Sequence, residues 1–487
     1  MDKSFNGPKQ NYFGICVAQT ASTVFWQGKQ RRPEPVWMSK IRAVPCIQTV
    51  IVSEHGQPMC HKMNRKSNCP KMLVGKLLNL ATVSALFAGA TTTFAEGFRN
   101  STIGASDLGR SGGRIAQVDD ATAVQHNPAN MLNVTNAQAE FTPTVLYFKV
   151  DYTSLDGRQS ASTIHPWKAL PNIFATMPLI DDRLAVGLGI TVPYGLASEW
   201  NTADSAFSPP TLNNWFANSA YYSQLITVNV NPSVAVKVNE KLRLGFGLDV
   251  MWSQLEFRRH LSPVPSVLYA DAKGSGVGVG GNFGLTWLIT EKQSLALTYR
   301  STMTVDYSGD TDFYNIPGLG SFSTSFNSQI KFPNIIAAGY GIQLTDAVRM
   351  EADFEWLQFS QFKNLPINIG ANPLGDLSQT ISEKWHNSFT AGLGADWRID
   401  DHWVLRGGYQ YFKTPVPDST LTPTIPDANQ NVITAGVGWN GKHNSFEFAY
   451  GLDFYNKRDI YDNQNSAFNG KYSFNVHLFS AAYHYSF

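Results

Sequence analysis

From residue 139 to the C-terminus, segment after segment alternates apolar and polar positions with a period of two, the signature of β-strands with two different faces. Over 242–252, Leu242, Leu244, Phe246, Leu248, Val250 and Trp252 share one face, and Arg243, Gly245, Gly247, Asp249 and Met251 share the other. Over 295–307, Leu295, Leu297, Tyr299, Met303 and Val305 are set against Thr298, Arg300, Thr302, Thr304 and Asp306. Met350, Ala352, Phe354 and Trp356 oppose Glu351, Asp353 and Glu355; Phe446, Phe448, Tyr450, Leu452 and Phe454 oppose Glu447, Ala449, Gly451 and Asp453. The pattern predicts about fourteen strands, at 139–152, 168–177, 184–196, 222–238, 242–259, 274–289, 293–307, 328–343, 347–362, 384–398, 403–413, 430–439, 443–456 and 472–487.

The connections alternate as strictly as the faces. Short turns fall at Asp181-Asp182, Asn239-Glu240-Lys241, Glu291-Lys292, Thr345-Asp346, Asp400-Asp401 and Asn440-Gly441-Lys442. Long connections fall between them, at 153–167, 197–221, 260–273, 308–327, 363–383, 414–429 and 457–471. The strands are too long, and their apolar faces too aromatic, for a soluble sandwich. Lipid outside and a polar lumen inside explains both, because only closed barrels of strands satisfy their backbone groups in hydrocarbon. The fold class expected is therefore all-β, a transmembrane antiparallel barrel of about fourteen strands over 139–487. Both termini belong on the short-turn, periplasmic side. The last strand carries Phe479, Ala481, Tyr483, Tyr485 and Phe487 on one face and ends on an aromatic carboxylate. Such an end is how outer-membrane barrels close, and Phe487 is the expected handle for the barrel-assembly machinery. Outer-membrane lipids are the expected surroundings, and a monomer the expected state.

Composition agrees. Aromatic residues reach 13% and Gly numbers 39, while charged residues are 15%. Residues 72–95 read as a signal peptide: Lys71 and Lys76 precede an apolar run ending at Ala90, and Thr93-Phe94-Ala95 offers a small–x–small cleavage site before Glu96. The run is too short for a membrane-spanning helix. Residues 1–71 hold all four cysteines (Cys16, Cys46, Cys60, Cys69) in spacings that match no zinc pattern. They are expected to be a start-site artefact or a removed extension. Without residues 1–95 the net charge is about −8, which disfavours a nucleic-acid partner. No metal cluster, phosphate loop or cofactor motif stands out, and no Gly-x-Ser-x-Gly elbow or Ser–His pairing suggests an enzyme.

Residues 96–138 do not alternate. They are rich in Gly, Ser and Asn, and a plug folded into the lumen is the economical place for them, with a periplasmic tail as the alternative. They contain Gly97-Phe98, Leu108-Gly109-Arg110, Asp119-Asp120-Ala121 and Asn127-Pro128-Ala129. Further on come Pro193-Tyr194-Gly195-Leu196, Ala296-Leu297-Thr298-Tyr299-Arg300-Ser301, and Ser360 before Pro415-Val416-Pro417. In this order the motifs resemble the FadL family, outer-membrane transporters of long-chain fatty acids and other hydrophobic compounds. The resemblance covers essentially all of 96–487. It implies a fourteen-stranded barrel, an N-terminal hatch carrying the Asn127-Pro128-Ala129 motif, and lateral release of ligand through a break in the third strand. The residues supply a reason for the break: Pro193 lacks the N–H a ladder needs and Gly195 tolerates a bulge. The alternative is that Pro193 simply ends the strand at the extracellular rim.

For the ligand, the loops after the fifth and seventh predicted strands carry 261–269, with Leu268 and Tyr269, and 313–319, with Phe313 and Ile316. Exposed apolar loops suggest capture of a hydrophobic small molecule. A fatty acid would also need a cation. Arg258, Arg259 and Lys384 lie near, but not on, the positions where the resembled transporters place theirs, and Phe98 matches the family's N-terminal aromatic. Arg300, inward by its alternation, has Glu351, Asp353, Glu447 and Asp249 as prospective partners in a lumen salt-bridge network. Two alternatives stay open: aromatic hydrocarbons by the same route, or a general porin.

Overall fold

The computed structural model describes residues 97–487, apart from 101, 112, 181, 209–214, 216–218, 262–268 and 317. Residues 1–71, the expected signal at 72–95, Glu96 and Leu268 lie outside the described residues.

Fourteen antiparallel strands close into a barrel. They are β1 (Gln138–Phe141 and Thr144–Thr153), β2 (Ser160–Ser162, Trp167–Leu170 and Ile173–Ile180), β3 (Leu184–Thr191 and Gly195–Glu199), β4 (Tyr222–Lys237) and β5 (Leu242–His260). There follow β6 (Tyr269–Thr290), β7 (Gln293–Arg300 and Met303–Ile316), β8 (Gly320–Phe332 and Ile335–Gln343), β9 (Val348–Leu357) and β10 (Ser388–Arg398). Last are β11 (Trp403–Phe412), β12 (Gln430–Asn440), β13 (Asn444–Tyr455) and β14 (Gly470–Ser486). Each strand pairs with the next, and β14 returns to β1 with Ala139 opposite Tyr485 and Val145 opposite Phe479. The C-terminal strand thus completes the ring beside the first, as its pattern predicts.

The two faces separate as the alternation requires. Phe246, Leu248, Phe354, Ile433, Phe446 and Phe448 are exposed on the outside, whereas Asp249, Glu351, Ala449 and Asp453 are buried within. One assignment is corrected. Met303 and Val305 point into the lumen, not outward with Leu295, Leu297 and Tyr299. At Ser301-Thr302 β7 is interrupted, and Ser301 donates its N–H to the Gly281 carbonyl while its hydroxyl accepts from the Gly281 N–H. The interruption leaves Arg300 and Met303, three residues apart, on the same inner face, so every side chain beyond it changes face. The connections expected at 260–273 and 308–327 are also shorter than expected. β6, β7 and β8 continue as paired ribbons to Tyr269, Ile316 and Gly320, because polar residues such as 308–312 keep making ladder hydrogen bonds above the apolar belt.

The N-terminal segment fills the lumen. It forms a short helix α1 (Ala105–Arg110), a single turn α2 (Ala123–His126) and a 3-10 turn over Pro128–Asn133. Glycines on the wall admit it. A Cβ on Gly245 would lie 2.3 Å from the Ala129 nitrogen, and one on Gly284 would lie 2.1 Å from Asn127 Oδ1. The hatch backbone can therefore lie directly against β5 and β6 only where the side chain is absent.

Candidate functional site

The hatch is fastened by charge. Arg110 is buried and reaches Asp396 at 2.7 Å and Glu351 at 3.1 Å. Glu351 also accepts the backbone N–H groups of Ile115 (2.6 Å), Ala116 and Gln117 (2.9 Å), so one wall carboxylate ties down three successive hatch amides. Arg114 pairs with Asp120 at 2.7 Å inside the hatch, and its N–H meets Asp353 of the wall at 2.7 Å. Arg300 pairs with Asp249 and donates to the Gln125 carbonyl at 3.0 Å, which places it in the lumen network its alternation suggested. Asn127 accepts the Ala129 N–H at 3.1 Å, and its amide donates to the Ile115 carbonyl and the Thr286 hydroxyl, both at 2.9 Å. Asn127-Pro128-Ala129 is thus a joint between hatch and wall.

The wall is interrupted between β2 and β3. Thr163 bridges Trp200 and the Ile164 N–H reaches the Glu199 carbonyl at 2.7 Å, while nearer the short-turn end Ile173 pairs with Ile190. The register is the same above and below. Between these points, no backbone hydrogen bond links His165–Pro171 to Pro193–Ser198, all of which are described residues. Pro193-Tyr194-Gly195 has turned away from β2 and taken a new partner. The Asn100 N–H donates to the Pro193 carbonyl at 2.9 Å, the Gly195 N–H donates to the Phe98 carbonyl at 2.8 Å, and Arg99 bridges Tyr194. The hatch strand Phe98–Asn100 replaces β2 as the ladder neighbour, so the break leaves these backbone groups satisfied, as burial demands.

Phe98 is buried in an aromatic box. Trp385, Phe362, Phe359 and Phe332 surround it with ring centroids at 5.1–5.5 Å, and Tyr194 of the break stands at 6.1 Å. Gly97 donates its N–H to Asp427 at 3.1 Å. Burial pushes the Asp427 carboxyl up, against hydrogen bonds from Thr414 and Gly97 and the nearby Arg458. Trp385 is held in turn by Glu383, whose Oε2 accepts its indole N–H at 2.9 Å. Glu383 is buried and its other oxygen has no partner, so its carboxyl is pushed up to about 8.

At the long-loop end lies an open cavity of ≈ 560 Å³, lined by Phe257, Leu261, Ala270, Phe313, Ile367 and Ile369 among others. Phe313 is fully buried and stacks on Phe322 at 4.8 Å, with Ile316 in the same cluster. Arg259 lines this cavity, and its guanidinium donates to Gln379 at 3.5 Å. Arg258 does not line it. It pairs with Glu256 at 2.6 Å and Asp271 at 3.2 Å and lies over the Tyr222 ring. Tyr269 stacks on Tyr314 at 4.6 Å, beside the cavity lining. Lys384 is exposed on a left-handed backbone (φ 48°), outside the lining, while its neighbour Glu383 turns inward. The sequence had no signal for Trp385, Phe332, Phe359 and Phe362 as one box, because Phe332 ends the first segment of β8 while the other three come from the long connection between β9 and β10. A second, small cavity of ≈ 80 Å³ lies between hatch and wall, with Tyr194, Pro193, Arg99 and Asn100 in its lining.

A closed barrel of lipid-facing strands, filled from within by the N-terminal segment and with the ladder between β2 and β3 interrupted, has the architecture of an outer-membrane barrel. The comparisons agree. Residues 86–487 match the family described as outer membrane protein transport protein (OMPP1/FadL/TodX), and the chain belongs to that family. It is 26% identical to a long-chain fatty acid transport protein of Salmonella typhi, over 72% of this chain and 85% of the relative. It is 22% identical to outer membrane protein P1 of Haemophilus influenzae, over 74% and 85%. In fold it resembles a FadL homologue of Pseudomonas aeruginosa (TM-score 0.69, 21% identity, 80% of this chain and 100% of that one). It also resembles the toluene transporter TodX of P. putida (TM-score 0.66, 18% identity, 79% and 99%). The protein is therefore an outer-membrane transporter of hydrophobic compounds in a Gram-negative bacterium, and not an enzyme.

Proposed function

We propose that this protein takes up long-chain fatty acids or similar hydrophobic molecules by diffusion and releases them sideways into the membrane. The ligand enters the apolar extracellular cavity around Phe313 and Ile316, passes to the aromatic box at Phe98, and leaves between β2 and β3. The observation that carries this reading is the interrupted ladder from His165 to Pro171, with Phe98–Asn100 paired to the break in place of β2. Because the hatch strand makes those bonds, moving Phe98 on ligand binding would also move the break. Curated relatives bear the name long-chain fatty acid transport protein, which favours the acid. Aromatic hydrocarbons are the second reading, favoured by a cavity in which Arg259 is the one Lys or Arg among the described lining residues. Residues 72–95 act as the export signal in this account, and Phe487 is offered to the assembly machinery.

The unchanged register above and below the gap makes the test simple. Replacing Pro193-Tyr194-Gly195 by Val-Thr-Val lets β3 pair with β2 throughout. Uptake of oleate and toluene by cells should then fall to the level of cells lacking the protein. Unimpaired uptake by a correctly assembled variant would remove the lateral route.

A further inference from the structure

The opening in the wall contains a cation. On the Trp167–Leu170 segment of β2, Trp167 faces outward and is 57% exposed, while Lys168 faces inward and is 8% exposed. Leu146, its ladder partner on β1, is buried, as are Phe148 and Leu170 on the same lumen face. On the other side the β3 ladder is missing. The register that sets Thr163 opposite Trp200 and Ile173 opposite Ile190, carried through the gap, sets Lys168 opposite Gly195, the one residue of the break without a side chain. Its ammonium makes no hydrogen bond or salt bridge among the described residues. Glu199 is the acid whose charge it feels, but that carboxylate is bound to His165 at 2.8 Å.

An ammonium set among apolar side chains with no hydrogen-bonded acid is unfavourable. The surroundings specify what would relieve it. Leu146, Phe148, Leu170 and Leu196 are apolar, and Tyr147, Trp167 and Phe479 stand on the outer side of the same wall. A small hydrophilic anion gains nothing from such a site. An anion at the end of a hydrocarbon chain fits both parts, with its head on the lysine and its tail through the gap into lipid.

We propose that Lys168 binds the carboxylate of an amphipathic acid in the wall opening, so that the exit itself favours fatty acids over neutral molecules of the same length. This rests on the lateral route proposed above. Lys168→Met keeps the apolar stem and removes the charge, and Lys168→Arg restores it. In cells, the ratio of oleate to oleyl alcohol uptake should fall roughly ten-fold in the Met variant, the size of one lost charge-assisted hydrogen bond, and recover in the Arg variant. A palmitate carrying a photoreactive group beside its carboxylate should label 165–171 in purified wild type and much less in the Met variant. Assembly is checked by heat-modifiable mobility of the folded barrel. An unchanged ratio with unchanged labelling would overturn the assignment, as would equal losses for acid and alcohol. The Val-Thr-Val replacement separates the two ideas: if it leaves all uptake intact, the lateral route fails whatever Lys168 does.

Discussion

Single residues decide how closely the hatch meets the wall. Gly284 lies under Asn127, and any side chain there collides with the amide that joins the 3-10 turn to Ile115 and Thr286. Gly284→Val should destabilise hatch docking by roughly 2–3 kcal/mol through overpacking. The expected sign is faster proteolysis within 97–134 while the barrel stays heat-modifiable; an unchanged cleavage pattern would contradict it. Glu383 makes a second prediction. Burial raises its folded-state affinity for a proton, so its contribution to stability is complete below the ordinary carboxylate range and is lost as pH rises through about 8. Above that pH, amide exchange near Trp385 should accelerate in wild type beyond the intrinsic effect, and the Glu383→Gln variant should lack the step. These positions were only partly legible beforehand. Asn127-Pro128-Ala129 stands out by resemblance to the family, but nothing in the spacing of Gly284 or Glu383 says what they will meet: Gly284 meets Asn127 from a distant part of the chain, and the burial of Glu383 beside Trp385 depends on the aromatic box that closes around them.

At the scale of elements, the alternation located all fourteen strands, since a strand between lipid and lumen must show its two solvents in its sequence. It misjudged what happens where that constraint relaxes. β7 changed face at Ser301-Thr302, and the β6–β8 ribbons ran on past the apolar belt, where both faces are polar and the period carries no information. The break in β3 was legible as Pro193-Tyr194-Gly195, but its new partner was not: Phe98–Asn100 joins the ladder from some ninety residues away. That exchange predicts that Phe98 holds the break in place. Phe98→Ala empties a box of five aromatic neighbours, a loss of about 3–5 kcal/mol of local packing. Exchange of the Gly195 amide should rise sharply and oleate uptake should fall. If Gly195 stays protected in that variant, the hatch strand is not what holds the open form.

Over the whole molecule, the charged lumen works as a fastening. Arg110 and Arg349 join hatch to wall through Glu351, Asp396 and Asp119, while Arg114–Asp120 braces the hatch and Arg406–Glu447 braces the wall. Removing one member of a buried pair strands the other charge, at about 3–5 kcal/mol. Arg110→Met should therefore loosen the hatch and raise the steady ion conductance of reconstituted protein, while wild type stays nearly silent; a large current through wild type would favour the porin alternative. The sequence by itself determined the solvent on each side of the strands, except beyond Ser301 in β7, and hence the barrel, its strand number and its location, because lipid and lumen select residues position by position. Only the tertiary structure decided which carboxylate holds which arginine, which aromatics close around Phe98, and that Lys168 faces a gap. Those depend on strands far apart in the chain meeting across a closed ring, and no local pattern records which ones will meet.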